Sequence, residues 1–260
     1  YEEWVVEQLQ NAKITHHDET GITIGAERVW LHSTSNGQYT HYYPHKNRGK
    51  KAMDDIGIIG NHEGIMIHGG WPAYYSYEGK VHALCNAHHL RELSGAEEEG
   101  QTWAGSMITL LLSTNEDVNK AGGELTAEGQ ERARKKYRRI LRAGEEECPL
   151  PPPPKEKKRG RIPKTKVRNL LERLRDNEDD VLRFMTDKDV PFTNNQAERD
   201  IRMAKLQQKI SGCFRSWEGA YIFSRIRGYL STSEKHNVTS AEALNLLFNG
   251  EFPEFMTEIV

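Results

Sequence analysis

The sequence predicts an α/β fold organised around a mixed sheet, on three observations. Residues 1–93 hold short β-forming runs cut by turn signals. From Leu90 onward the apolar pattern changes to helical spacing, and helical spacing resumes after Pro191. Three strands, a helix, a strand and a further strand suggest a mixed α/β sheet.

Taken in order, Tyr1–Lys13 reads as an amphipathic helix, with Glu2, Glu3, Trp4, Val5, Val6 and Leu9 in helical order rather than as a signal peptide. The lack of an initiating Met suggests a piece of a longer chain. Ile14–Ile24, Glu27–Thr34 and Gln38–Tyr43 are rich in Thr, Ile, Val, Tyr and Trp and are separated by Gly25 and Asn36-Gly37. An Asn-Gly pair between such runs signals a hairpin, so three antiparallel strands are expected. A helix at Arg48–Ile56, a short buried strand at Gly64–His68 and another at Val81–Cys85, after the turn at Glu78-Gly79, follow. Ala127–Ala143 is a strongly basic helix. Cys148–Pro154, with five prolines, breaks regular structure. Val167, Leu170, Leu171, Leu174, Val181, Leu182 and Met185 keep one stripe through an expected single long helix, ended by Pro191. Asn195–Phe248 reads as helices with breaks near Gly212, Gly219 and Asn237. No repeat is visible, and 149–166 is the one low-complexity stretch. The expected organisation is therefore three parts: 1–93, a helical part 94–190, and C-terminal helices 191–260.

Bulk properties restrict the class. The 260 residues are 36% hydrophobic and 28% charged, with a mean hydropathy of −0.77. Apolar runs such as Met107–Leu112 fall far short of the roughly 20 residues that span a bilayer. Three widely spaced cysteines argue against a disulfide framework and for a reducing compartment. The net charge of −2 does not itself indicate nucleic acid, but the charges are segregated. Eight bases against one acid lie between Lys155 and Arg168, and seven against two between Arg199 and Arg227. Acids collect at Glu97–Glu99, Glu145–Glu147 and Asp176–Asp180. Such segregation can steer a polyanion to one face, or can simply solvate helix surfaces.

Two carboxylates stand out. Asp18 sits inside the first strand, where an acid is costly to bury without a cation or hydrogen bonds. It is either a metal ligand or a strand-end Asp feeding a turn at Gly21. Glu198 follows Asn194-Asn195-Gln196-Ala197, where Asn195 and Glu198 have the spacing of a capping box. Glu198 also shares one helical face with Arg202 and Lys205, a setting suited to a metal site that must also hold phosphate. Cys85, His88 and His89 have a spacing that can seed a zinc site, but no second pair follows; His62 and His68 are the nearest candidates.

The motif order resembles a known family. His17-Asp18-Glu19-Thr20-Gly21, Met66-Ile67-His68-Gly69-Gly70-Trp71, the run from His82 to Leu93, Asn194-Asn195-Gln196-Ala197-Glu198-Arg199, Lys209–Ser216 and Arg225–Tyr229 resemble transposases of the insertion sequence sixty-six family. The resemblance implies a ribonuclease-H-like mixed sheet, with 94–190 as a helical insertion and 191–260 completing the core. It implies an Asp–Asp–Glu triad holding two Mg²⁺ or Mn²⁺ ions, DNA as partner (transposon ends and target), and a homo-oligomer on DNA. The location would be the bacterial cytoplasm, at the nucleoid when DNA-bound, with no membrane. Asp18 matches the first Asp and Glu198 the Glu; the second Asp, expected between His68 and Gly70, is Gly69. Asp54, Asp55 and Glu63 lie outside that position. Cys85 and His88 match a Cys-x-x-His element that shapes the edge of the active site rather than binding zinc. Lys155, Lys157, Lys158, Arg159, Arg161, Arg199, Arg202 and Lys205 are the expected DNA contacts. Gly69 sets an impaired transposase against a catalytically inactive, domesticated DNA-binding or regulatory protein, and either a decaying copy or a deliberate change would account for it. A ribonuclease H is disfavoured by the Glu198 motif and the long helical part.

Overall fold

β-forming runs separated by turn residues build the first part of the chain. In the computed structural model, which describes residues 1–150 and 164–257, α1 (Glu2–Gln10) buries Val5 and Leu9 against Ile58. It leads into a meander of β1 (Ile14–Ile24), β2 (Glu27–Ser35) and β3 (Thr40–His45), both pairs antiparallel. Gly25 turns the first hairpin with φ of 60°, a conformation that a Cβ would strain. At the second turn, Oδ1 of Asn36 accepts from the backbone of Gln38 at 2.9 Å and of Tyr39 at 2.7 Å. This side-chain turn takes up residues 36–39, so β3 starts at Thr40 rather than at Gln38. The chain crosses through α2 (Lys50–Ile56) and α3 (Ile58–Asn61) to β4 (Ile65–His68), parallel to β1, and then reaches β5 (Val81–Leu84). The sheet order is β3-β2-β1-β4-β5, a five-stranded mixed sheet.

The chain divides into two units, Tyr1–His82 with Asn194–Val260, and Ala83–Thr193. The second unit contains α4 (Asn86–Glu98), α5 (Thr102–Ala121), α6 (Ala127–Glu147), α7 (Lys166–Asp176) and α8 (Glu178–Val181). Thr126 caps α6 by accepting from the Gly129 amide. Gly144 permits close packing, since a Cβ there would meet Leu171 and the Trp103 ring at 2.8 Å. The single helix expected from Val167 to Met185 is broken at Asn177, and a 3-10 turn, Arg183–Met185, follows α8. The break puts Glu178, Asp179 and Asp180 in a helical first turn, where acids are favoured. Arg134 and Arg138 of α6 hold Glu178 at 2.9 Å. Every residue of the apolar stripe is still buried.

Returning to the first unit, α9 (Asn195–Ser211), α10 (Trp217–Lys235), α11 (Ser240–Phe248) and α12 (Glu254–Thr257) complete it. Gly212, φ 76°, ends α9, and Asn237, φ 61°, separates α10 from α11. No break occurs at Gly219: it lies in the first turn of α10, with its amide on the Ser216 hydroxyl cap. On one face of the sheet Ile22, Ile24, Val29, Leu31 and Tyr42 pack with Ala204, Phe214 and Ala220. On the other, Met66 packs with Met53, Ile59 and Tyr74. Among the described residues no helix is long and apolar enough to cross a membrane.

Candidate functional site

Asp18 pairs with Ser33 across β1 and β2, and β1 continues through Gly21 to Ile24. A strand-end Asp feeding a turn at Gly21 is therefore ruled out; the turn comes at Gly25. The parallel register joins Ile14 with Ile65, Thr15 with Met66 and His16 with Ile67. Extended past the end of β4, that register sets His68 beside His17 and Gly69 beside Asp18. Side chains alternate along a strand, so Asp18 shares the face of Ile22 and Ile24, the face that α9 covers. Gly69 is exposed and its backbone is not left-handed, whereas Gly70 has φ of 82°. A side chain at 69 would meet no backbone strain.

The start of α9 is tied to β1. The Asn194 side chain donates through Nδ2 to the His17 carbonyl at 2.8 Å, and its Oδ1 lies 2.8 Å from His16 Nδ1. Asn194 is almost fully buried and is the N-cap residue, but its side chain makes no cap bond. The expected capping box of Asn195 with Glu198 is thus absent. Asn195 already lies inside the helix, and the capping side chain is committed to the strand. Glu198 follows one turn later, half-buried, with its amide on the Asn194 carbonyl at 3.3 Å. Arg199, Arg202 and Lys205 are exposed on α9, and Arg199 donates to Gln196 Oε1 at 3.1 Å.

The opposite face carries a buried polar layer whose roles the sequence did not show. Glu19 accepts from the Tyr74 hydroxyl and faces the Arg48 guanidinium at 3.4 Å. Burial raises its carboxyl above the ordinary value, against the pull of Tyr74 and Arg48. His17 bonds Thr15 and Thr34 at 2.9 and 3.2 Å. His68 accepts from the Gly70 amide through Nδ1, faces His82 through Nε2 at 3.0 Å, and stacks on Tyr74. Burial holds the His17 and His68 imidazoles well below their usual range. The run Thr15-His16-His17 inside a strand was the available signal, because buried polar side chains must find partners.

Several other candidates have partners or positions of their own. Asp54 bonds Lys50 and Tyr77, Asp55 lies 3.1 Å from His45, and Glu63 is exposed before β4. His62 is engaged by Thr15 and the carbonyls of Leu9 and Gln10, so neither it nor His68 is available as a second zinc pair. Cys85 and His88 belong to the second unit, where buried Cys85 is the residue at the N-cap of α4 and its carbonyl accepts from the His88 amide at 3.1 Å. Lys155, Lys157, Lys158, Arg159 and Arg161 fall outside the described residues.

No curated relative and no solved structure matches the chain. A family model described as Transposase IS66 family matches residues 2–222, most of the 260. On that match the chain belongs to the IS66 transposase family.

Proposed function

We propose that the chain is the catalytic domain of a DNA transposase of ribonuclease-H-like type, with strand cleavage and transfer impaired at its second acidic position. On this reading 94–190 is an insertion into the core and the protein works as an oligomer on transposon ends and target DNA. The observation that carries it is the β1 face bearing Asp18 with α9 packed against it, so that Asp18 and Glu198 lie on two adjoining elements, as paired carboxylates require.

Two carboxylates suit one Mg²⁺ or Mn²⁺ ion, since such ions are usually held by one or two carboxylates plus waters and phosphate. They do not suit a pair of ions, because Gly69 offers no ligand atom beside Asp18. When bound, such ions lower the pKa of a nucleophilic water or hydroxyl and offset charge on a leaving oxygen. The chain's own part is positional. A paired strand fixes Asp18, the Asn194 tie fixes the start of the Glu198 helix, and Arg202 and Lys205 offset phosphate charge. A second reading, a DNA-binding or regulatory protein without chemistry, is favoured by Gly69 itself.

Cleavage and strand transfer measured on labelled DNA ends with Mg²⁺ or Mn²⁺ test both readings. We expect little turnover by the Gly69 chain, a gain in Gly69→Asp, and its loss when Asp18→Ala is added. Full activity of the Gly69 chain would overturn the site assignment. DNA binding with no turnover even in Gly69→Asp would favour the regulatory reading.

A further inference from the structure

The second unit carries a groove of about 610 Å³ between α5 and α6, with Leu110, Ile140 and Ala143 among its lining residues. Its walls differ chemically. Ser106, Thr109 and Ser113, spaced i, i+3 and i+7, put a row of hydroxyls along α5. Lys136 and Arg139, one turn apart, put two cations on α6. Leu110 and Ile140 supply apolar surface. The ion pairs around α6 leave these two cations out. Arg134 and Arg138 are held by Glu178, Lys135 by Glu131 at 3.5 Å, and Glu145 by Arg175 at 2.9 Å. Lys136 and Arg139 are exposed and have no ion pair among the described residues, and Arg132 and Arg142 on the same helix are in the same state.

We propose that this groove seats a sugar–phosphate strand of duplex DNA, making the α5–α6 hairpin a second, sequence-independent DNA-binding surface outside the carboxylate site. The inference rests on the transposase reading for the identity of the polyanion. Charge and shape complementarity carry the rest: cations one turn apart suit neighbouring phosphates, and Leu110 and Ile140 suit the apolar faces of deoxyribose. The hydroxyls now donate to their own helix, Thr109 to the Gly105 carbonyl at 3.0 Å and Ser113 to the Leu110 carbonyl at 3.1 Å. The cations therefore carry most of the affinity and the hydroxyls refine position.

Binding of the full chain to a fluorescent random-sequence duplex, measured over a range of salt, is the test. In the double variant Lys136→Ala/Arg139→Ala the slope of log K against log salt should fall by about 1.8, about 0.9 for each phosphate that is no longer neutralised. Ala143→Trp, which fills the groove without changing charge, should weaken binding several-fold. Lys135→Ala, which removes an ion-paired cation from the same helix outside the groove, should leave the slope unchanged. An unaltered slope in the double variant, with wild-type binding intact, overturns the groove and leaves the transposase reading standing. So does an equal fall in Lys135→Ala. If a polyglutamate peptide binds the groove more tightly than DNA, the partner is an acidic protein segment and the proposal fails. Absence of DNA binding by the wild-type chain at any salt overturns the transposase reading and this inference together.

Discussion

Asp18 and Glu19 are neighbours in sequence and occupy opposite faces of one strand. On its side Glu19 is sealed in, with a side chain only 4% exposed and held by Tyr74 and Arg48. That guanidinium lies 4.1 Å from the Trp71 ring centre and 4.8 Å from that of Trp30. Around it His17, His32, His41 and His68 are buried, with burial lowering each imidazole. Asp18 is half-buried and faces α9, where Asn194 joins helix to strand. The same residue types thus serve as fixed polar core on one face and as candidate chemistry on the other. The difference teaches that a carboxylate in a strand gains its role from the face it is turned to.

The sharpest way to test that contrast is to add a carboxylate on the α9 face. Gly69→Asp should raise metal-dependent cleavage on the order of a hundredfold or more, the size of restoring one electrostatic partner of a transition state. Parallel assays of the Glu19→Gln variant in the same background should show no comparable loss per folded molecule; an equal loss would erase the distinction between the faces.

Breaking the buried face should cost stability instead. Tyr74→Ala removes a ring at 3% exposure that stacks on His68. Loss of roughly 3–5 kcal/mol is expected, as for other large aromatic truncations, and urea unfolding would reveal it. A midpoint within error of wild type would mean that the layer adds nothing to the stability of the fold.

Acid should strike the same face. Burial lowers His32 and His41 from 6.5 to about 4. As pH falls below 6.5 the unfolded chain takes up protons that the folded chain refuses, so stability declines between 6.5 and about 4. Above 6.5 these two groups contribute no pH dependence. The decline amounts to on the order of 3 kcal/mol for each histidine over the whole window. Denaturant titrations at several pH values should show it, with His41→Gln giving a shallower dependence; a flat profile from pH 7 to 4 would contradict the assignment.

Smaller effects belong to the α9 face. Asn194→Ala should cost about 1–3 kcal/mol, because it leaves buried His16 and the His17 carbonyl without their partner. An unchanged unfolding midpoint would show that the tie is dispensable. Neutralising Arg199, Arg202 and Lys205 together should flatten the salt dependence of DNA binding by up to about 2.7, at about 0.9 per phosphate. If the slope holds, these charges only solvate the helix.

Much of the fold was legible because it is local. Turn residues and β-forming runs marked β1 and β2 to within a residue or so, and helical spacing marked α1. Errors fell where distant partners decide. The stripe from Val167 to Met185 has one periodicity, yet the chain breaks at Asn177, and α6 cations hold the acids that follow. A capping box was readable in Asn195 and Glu198, but the side chain that matters is Asn194. Its partners His16 and His17 lie 178 and 177 residues away, beyond anything that local spacing encodes.

The sequence by itself determined where turns fall, which runs favour strands and which family the motifs resemble, because these depend on neighbours along the chain. Only the tertiary structure decided that Asp18 shares a face with α9 while Glu19, His17, His32, His41 and His68 form core on the other. Strand register, helix packing and long-range hydrogen bonds join residues far apart in sequence, and a shift of one residue in register would have exchanged the two faces.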